Sequence, residues 1–133
     1  MIAPGTIAWA SAAPGFSPPG PHPLLIVLAH PNGNLGVAFI THSNDLLKVG
    51  IALRRAEVPS AFRDRGGPLT DETGVVVLVD DRGHRRVLIA EPLAIDRLRI
   101  GSTEVRLTHS KTLPATEWQP LRARVRAALG MPP

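Results

Sequence analysis

The stretch "PHPLLIVLAHPNGNLGVAFITHSN" (Pro21–Asn44) decides how the chain folds. Two apolar runs, Leu24 to Ala29 and Leu35 to Thr41, flank Asn32-Gly33. That dipeptide is the strongest short hairpin signal, because both residues tolerate positive φ. The two runs are therefore expected to pair antiparallel. The second run stops abruptly in Thr41, His42, Ser43 and Asn44. Two explanations fit this polar cluster. Either the strand end opens into a groove where hydroxyl, imidazole and amide groups meet a ligand, or the cluster starts a turn through side-chain to backbone bonds.

The same logic extends along the chain. "VVVLVDDRGHRRVLIA" predicts a second hairpin, with Asp80, Asp81, Arg82 and Gly83 turning between β-branched runs. Prolines number 14 and glycines 12, which disfavours long helices and favours short strands between turns. Strands are expected at Thr6 to Ala10, Leu24 to Ala29, Leu35 to Thr41, Leu47 to Leu53, Gly74 to Val79, Arg86 to Ala90 and Glu104 to Thr108. "SAAPGFSPPGPHP", Ser11 to Pro23, is too rich in proline to join a sheet ladder and is expected as a partly stiff surface loop. Arg54 to Gly74, broken by Gly-Gly-Pro, reads as a second polar connection.

The C-terminal "TEWQPLRARVRAALG" predicts one short helix. Thr116 and Gln119 have capping-box spacing, Pro120 is expected in the first turn, and Gly130 is the stop. Trp118, Leu121, Val125 and Leu129 form the stripe to be buried, flanked by Arg122, Arg124 and Arg126.

At 133 residues the chain fits one domain, expected to span 1–133, and its apolar fraction of 44% supports a single modest core. The absence of Cys excludes disulfides, thiolate metal sites and cysteine nucleophiles. The first residues lack a basic n-region, and no apolar run reaches the roughly 20 residues that cross a bilayer, so a soluble, cytoplasmic protein with no membrane association is expected. Basic residues exceed acidic ones by 15 to 11, and Lys48 and Lys111 are the only lysines. The positive charge is therefore nearly all guanidinium, which suits planar, bidentate contact with phosphate or carboxylate.

Several chemistries lack their sequence patterns. "GNLG" and "GFSPPG" miss the strand-glycine-helix context and the lysine of phosphate-binding loops. The histidines, at 22, 30, 42, 84 and 109, never fall at i, i+4 on a predicted helix, so a metalloprotease-type zinc site has no support and no metal is expected. No G-x-S-x-G elbow exists. With Trp9, Trp118, Phe16, Phe39 and Phe62 as the full aromatic supply, nucleic-acid binding would lean on guanidinium, imidazole and backbone groups.

In order, the N-terminal third reads Pro4-Gly5-Thr6-Ile7, a Pro-rich loop, His22-Pro23-Leu24-Leu25, a turn, and Ile40-Thr41-His42-Ser43. Near the other end stands "TEVRLTHSKTLPATEW", with Arg106, Lys111, Thr112 and Leu113. This succession resembles the MazF/PemK/Kid family of toxin endoribonucleases, over about half the chain. The family has a Gly-Asp-Ile-type first strand, a long loop, a strand opening Arg-Pro-Val-Leu, a third strand ending Thr-Ser, and a late strand that carries an Arg before the last helix. The middle, Asp45 to Gly101, is longer than the family usually has, and "TGVVVLVDD" competes for the place of the late strand.

The resemblance implies a mainly β fold: a small SH3-like β-barrel with a C-terminal α-helix, commonly a homodimer. It implies metal-independent cleavage of single-stranded RNA by the ribose 2′-OH, without a cofactor. Such cleavage needs a base, an acid and donors for the phosphorane oxygens. Thr41 takes the place of the family's functional Thr, and Arg106 that of the Arg which stabilises charge on phosphate. His22 stands where the family has Arg, and an imidazole can give or take a proton near neutrality. These three are the expected catalytic residues. Ser43, Thr108 and His109 are the expected substrate-binding set. Thr108 stands where some members have Asp, and a hydroxyl does not replace a carboxylate as base; His109 is expected on the opposite sheet face. The family usually pairs with a neutralising antitoxin, whose acidic segment an Arg-rich groove would accept. The two departures keep a second reading open, a non-catalytic SH3-like module binding a peptide, a protein partner or RNA. A third is a structural β-barrel in which Thr41 and Arg106 lie far apart.

Overall fold

The computed structural model describes residues 2–14, 21–41, 50–54, 73–77, 79–81 and 84–132. Along the chain these form β1 (Thr6–Ala10), β2 (His22–Ala29), β3 (Leu35–Thr41), β4 (Gly50–Arg54), β5 (Thr73–Val77), β6 (Val79–Asp81), β7 (His84–Arg86), β8 (Leu88–Ala94), β9 (Arg97–Ile100), β10 (Thr103–Thr112) and α1 (Ala115–Ala128). Among them no helix is long and apolar enough to cross a membrane. The chain divides into two compact units, Met1–Phe39 with Val87–Thr112, and Ile40–Arg86 with Leu113–Pro133.

The first unit carries a closed six-strand antiparallel barrel in the order β2-β1-β10-β9-β8-β3, with β3 pairing back onto β2. Closure pairs the barrel's first and last strands with each other, so among the described residues every barrel strand has a partner on both sides over at least part of its length. The mainly β class and the C-terminal helix are as composition and periodicity lead one to expect, and a β-barrel is what the resemblance implies.

The barrel is filled by alternate residues of each strand. Ala8 and Ala10 come from β1, Leu24 and Ile26 from β2, Val37 and Phe39 from β3, Leu98 and Ile100 from β9, and Val105 and Leu107 from β10. Burying each large aliphatic side chain stabilises the fold by about 1.5–3 kcal/mol. On β1, β2 and β3 the other face is buried too, through Ile7, Leu25 and Ala38. Burial on both faces is why "HPLLIVLA" reads as an unbroken apolar run. β9 differs, alternating exposed arginines with buried Leu98 and Ile100, and β10 does the same as far as Leu107. One side of these two strands faces water.

The β2–β3 hairpin forms where Asn32-Gly33 places it, in a different turn from the one the dipeptide first suggests. Gly33 N donates to His30 O at 3.0 Å, His30 N donates to Asn34 O at 2.8 Å, and Asn34 N donates to Asn32 Oδ1 at 3.0 Å. Gly33 alone uses positive φ, at 92°. Pro31 presets the φ of a type I turn, and Gly33 then takes the left-handed position that lets the strands resume pairing.

β8 extends beyond the expected Ala90: Pro92 still opposes Leu98, next to the point where the β8–β9 register shifts, an irregular position of the kind where sheets accept proline. β9 has no counterpart in the sequence reading. It turns into β10 through Gly101-Ser102, with Gly101 at φ 60° and Thr103 opposite Ile100.

In the second unit β4 pairs with β5, and β6 with β7, so the expected second hairpin forms with Asp80 and Asp81 inside a strand. Most of Arg54 to Gly74 lies outside the described residues. α1 buries Leu121 and Val125, while Trp118 and Leu129 are half-buried. Two expectations about the helix need correction. Its N-cap is Pro114, with no side-chain cap bond, so the Thr116–Gln119 box does not form. Pro120 lies inside the helix, past the first turn. The C-terminal stop is as expected: Gly130, at φ 70°, donates to Ala127 O, and Met131 N reaches back to Arg126 O at 2.9 Å.

Candidate functional site

The wetted face of β8, β9 and β10 gathers the first unit's charge. Residues directly opposed in an antiparallel pair share a face. Glu91 opposes Arg99, which opposes Glu104, and beside that row Arg97 opposes Arg106. All five side chains are exposed. Arg99 Nη1 reaches Glu91 Oε2 at 3.2 Å, and Arg97 Nη1 reaches Glu104 Oε1 at 3.1 Å on the diagonal. Half-exposed pairs of this kind contribute about 0–1 kcal/mol each.

Three guanidinium groups thus share two carboxylates, and Arg106 is the one left over. Among the described residues its side chain pairs with no carboxylate. It also faces a like charge, since Arg97 is its direct cross-strand partner. Such an arrangement is destabilising in isolation. Across the other edge of β10, the chain leaving β1 stays attached: Ser11 N donates to Arg106 O at 2.9 Å, and Arg106 N donates to Ser11 Oγ at 2.9 Å. Ser11 is exposed.

Further along β10 the ladder to β1 is broken. Trp9 pairs with Thr108 and Ile7 with Lys111, so His109 and Ser110 together oppose Ala8. His109 absorbs the extra residue at φ 56°, and among the described residues no other non-glycine has positive φ. Bulges re-aim side chains and are over-represented beside active sites, where backbone strain also clusters. From Thr108 to Thr112 every side chain is exposed. The opposite-face placement expected for His109 assumed an unbroken pleat, which this bulge interrupts.

Arg106, Thr108 and His109 therefore lie close together along one exposed strand segment. His22 is placed differently. It opens β2 half-buried, opposite Ala10, whose other neighbour is Leu107. Both Ala10 and Leu107 face the core, so His22 stands on the inner side of the wall and Arg106 on the outer side. Thr41 closes β3, and its side chain lies outside the described residues, as does Ser43 altogether.

Arg97 and Ser11 are the site residues that sequence reasoning missed. A signal was present: "RLRIGSTEVRL" alternates charged and apolar residues on both sides of Gly-Ser, a two-residue hairpin pattern that puts Arg97, Arg99, Glu104 and Arg106 on one face. Among the described residues no group of three His, Asp or Glu side chains could hold a metal ion. Compared with protein-family models, with curated proteins and with solved structures, the chain finds no match in any of the three.

Proposed function

We propose that the outer face of β10, centred on Arg106, binds single-stranded RNA. The observation that supports this most is an exposed guanidinium with no carboxylate partner among the described residues, on the same strand as exposed Thr108, His109 and Lys111. A guanidinium fork matches phosphate geometry, and hydroxyl and imidazole groups supply further hydrogen bonds. With so few aromatic residues for stacking, affinity comes mainly from charge and falls with salt. Titration of a labelled single-stranded oligoribonucleotide at several salt concentrations tests this. Arg106→Ala should weaken binding about tenfold and flatten the log–log salt slope by about 0.7. A wild-type protein that binds no RNA, or an Arg106→Ala variant that binds equally well, overturns it.

The bulge at His109 favours a second reading, metal-independent scission of the bound strand. The ribose 2′-oxygen attacks the adjacent phosphorus, the bond to the 5′-oxygen breaks, and the products are a 2′,3′-cyclic phosphate and a 5′-OH end. One proton leaves the 2′-OH and one reaches the departing oxygen, work suited to an imidazole, while Arg106 stabilises the phosphorane oxygens. His22, on the inner side of the wall, is outside this set. Incubation of RNA with protein and a chelator should yield 5′-OH fragments, and His109→Gln should abolish them while binding persists. Intact RNA rules out scission and leaves the binding module.

A further inference from the structure

We infer that Ser11, Arg97 and Arg106 form a subsite for one phosphate group, and that Glu104 competes with that phosphate for Arg97. The inference rests on the reading of this face as an RNA-binding surface and deepens it. Direct opposition holds the Cα atoms of Arg97 and Arg106 about 5 Å apart. Two arginines at directly opposed positions of one exposed face bring like charges side by side, and an anion between them offsets the repulsion. Glu104 supplies one carboxylate oxygen, but only to Arg97, at 3.1 Å. Arg106 is left facing water beside it.

Ser11 completes the arrangement. Its Oγ accepts a bond from Arg106 N at 2.9 Å. A hydroxyl that accepts from one side has its own proton to donate elsewhere. The backbone bond from Ser11 N to Arg106 O holds the residue next to Arg106. A hydroxyl donor and two guanidinium forks on adjacent strands are the donors that a tetrahedral oxyanion needs. With a phosphate bound, Arg97 swings from Glu104 to the ligand, so the Arg97–Glu104 pair masks the site when it is empty.

The competition gives the subsite a signature that a general basic surface lacks. Removing a carboxylate from any basic face strengthens RNA binding somewhat, but here the gain must pass through one arginine. Titrations of a single-stranded oligoribonucleotide and, separately, of inorganic phosphate monitored by the NMR signals of Ser11, Arg97 and Arg106 test it. Ser11→Ala and Arg97→Ala should each weaken RNA binding about three- to tenfold. Glu104→Gln should strengthen it about threefold, and that gain should vanish in an Arg97→Ala background. All three side chains are exposed, so unchanged denaturation midpoints would confirm that the variants remain folded.

If RNA binds and the Ser11 and Arg97 variants bind like wild type, or Glu104→Gln gains as much without Arg97, the subsite is wrong while the RNA reading stands. If RNA does not bind but inorganic phosphate shifts the three residues, the RNA reading fails and the subsite serves a free phosphate or phosphomonoester. If neither ligand perturbs them, the subsite is overturned.

Discussion

His109 of β10 is the extra residue set against Ala8 of β1, and the barrel accommodates it by holding His109 at φ 56°. A left-handed conformation costs a residue with a Cβ about 1–2 kcal/mol. Glycine removes that cost but adds chain entropy of about 0.5–1 kcal/mol to the unfolded state, so His109→Gly should remain within about 1 kcal/mol of wild type. A β-branched residue suits this conformation worst, and His109→Val should lose about 1–2 kcal/mol. Urea denaturation of the two variants makes the comparison. Equal stability would mean that the bulge is not held as described.

Gly36 is required by a close approach. A Cβ there would lie 2.6 Å from Val87 Cγ2 and 2.8 Å from Leu28 Cγ. Gly36→Ala should therefore destabilise the barrel by about 1–3 kcal/mol, through forced movement of packed side chains. A lowered urea midpoint with unchanged slope is the expected result.

At Gly130 the constraint is backbone angle and not space, since nothing lies within 4 Å of an added Cβ although φ is 70°. Gly130→Ala should cost about 1 kcal/mol by opposing the left-handed turn that ends α1. The amides of Gly130 and Met131, now bonded to Ala127 and Arg126, should also lose protection from hydrogen exchange.

Leu98 and Arg99 are chain neighbours on opposite sides of the wall. Leu98 is fully buried, and Leu98→Ala should cost about 2–5 kcal/mol. Arg99 makes a half-exposed ion pair with Glu91, and Arg99→Ala should change stability by less than about 1 kcal/mol. Thermal melts of both variants check the contrast.

Much of the barrel could be read locally. Thr6 to Ala10 and Leu35 to Thr41 are strands with the boundaries the sequence suggests, because apolar runs ended by turn residues carry their own limits. β8 runs past the expected Ala90 through Pro92, a residue that usually ends a strand, and only the register with β9 shows that it has a place there. The helix start also differs from the expected one. Pro114 occupies the cap position, and Thr116, which has the right spacing, lies inside the helix.

The site was legible only in part. Arg106, Thr108 and His109 follow each other on one strand, so their proximity is a sequence property. The expected partnership of Arg106 with His22 depended on which face of the wall each occupies. Face is settled by the Ala10–Leu107 register, a relation between residues far apart in the chain.

By itself, the sequence determined β1, β3, the β2–β3 hairpin, the final helix and the arginine-dominated charge, because each follows from local periodicity, turn chemistry and composition. Only the tertiary structure decided that β3 returns to β2 to close the barrel, that His109 takes up a bulge, and that Arg97 stands opposite Arg106. Those three relations are cross-strand registers, and a one-residue slip in any strand would invert the faces without changing a letter of the chain.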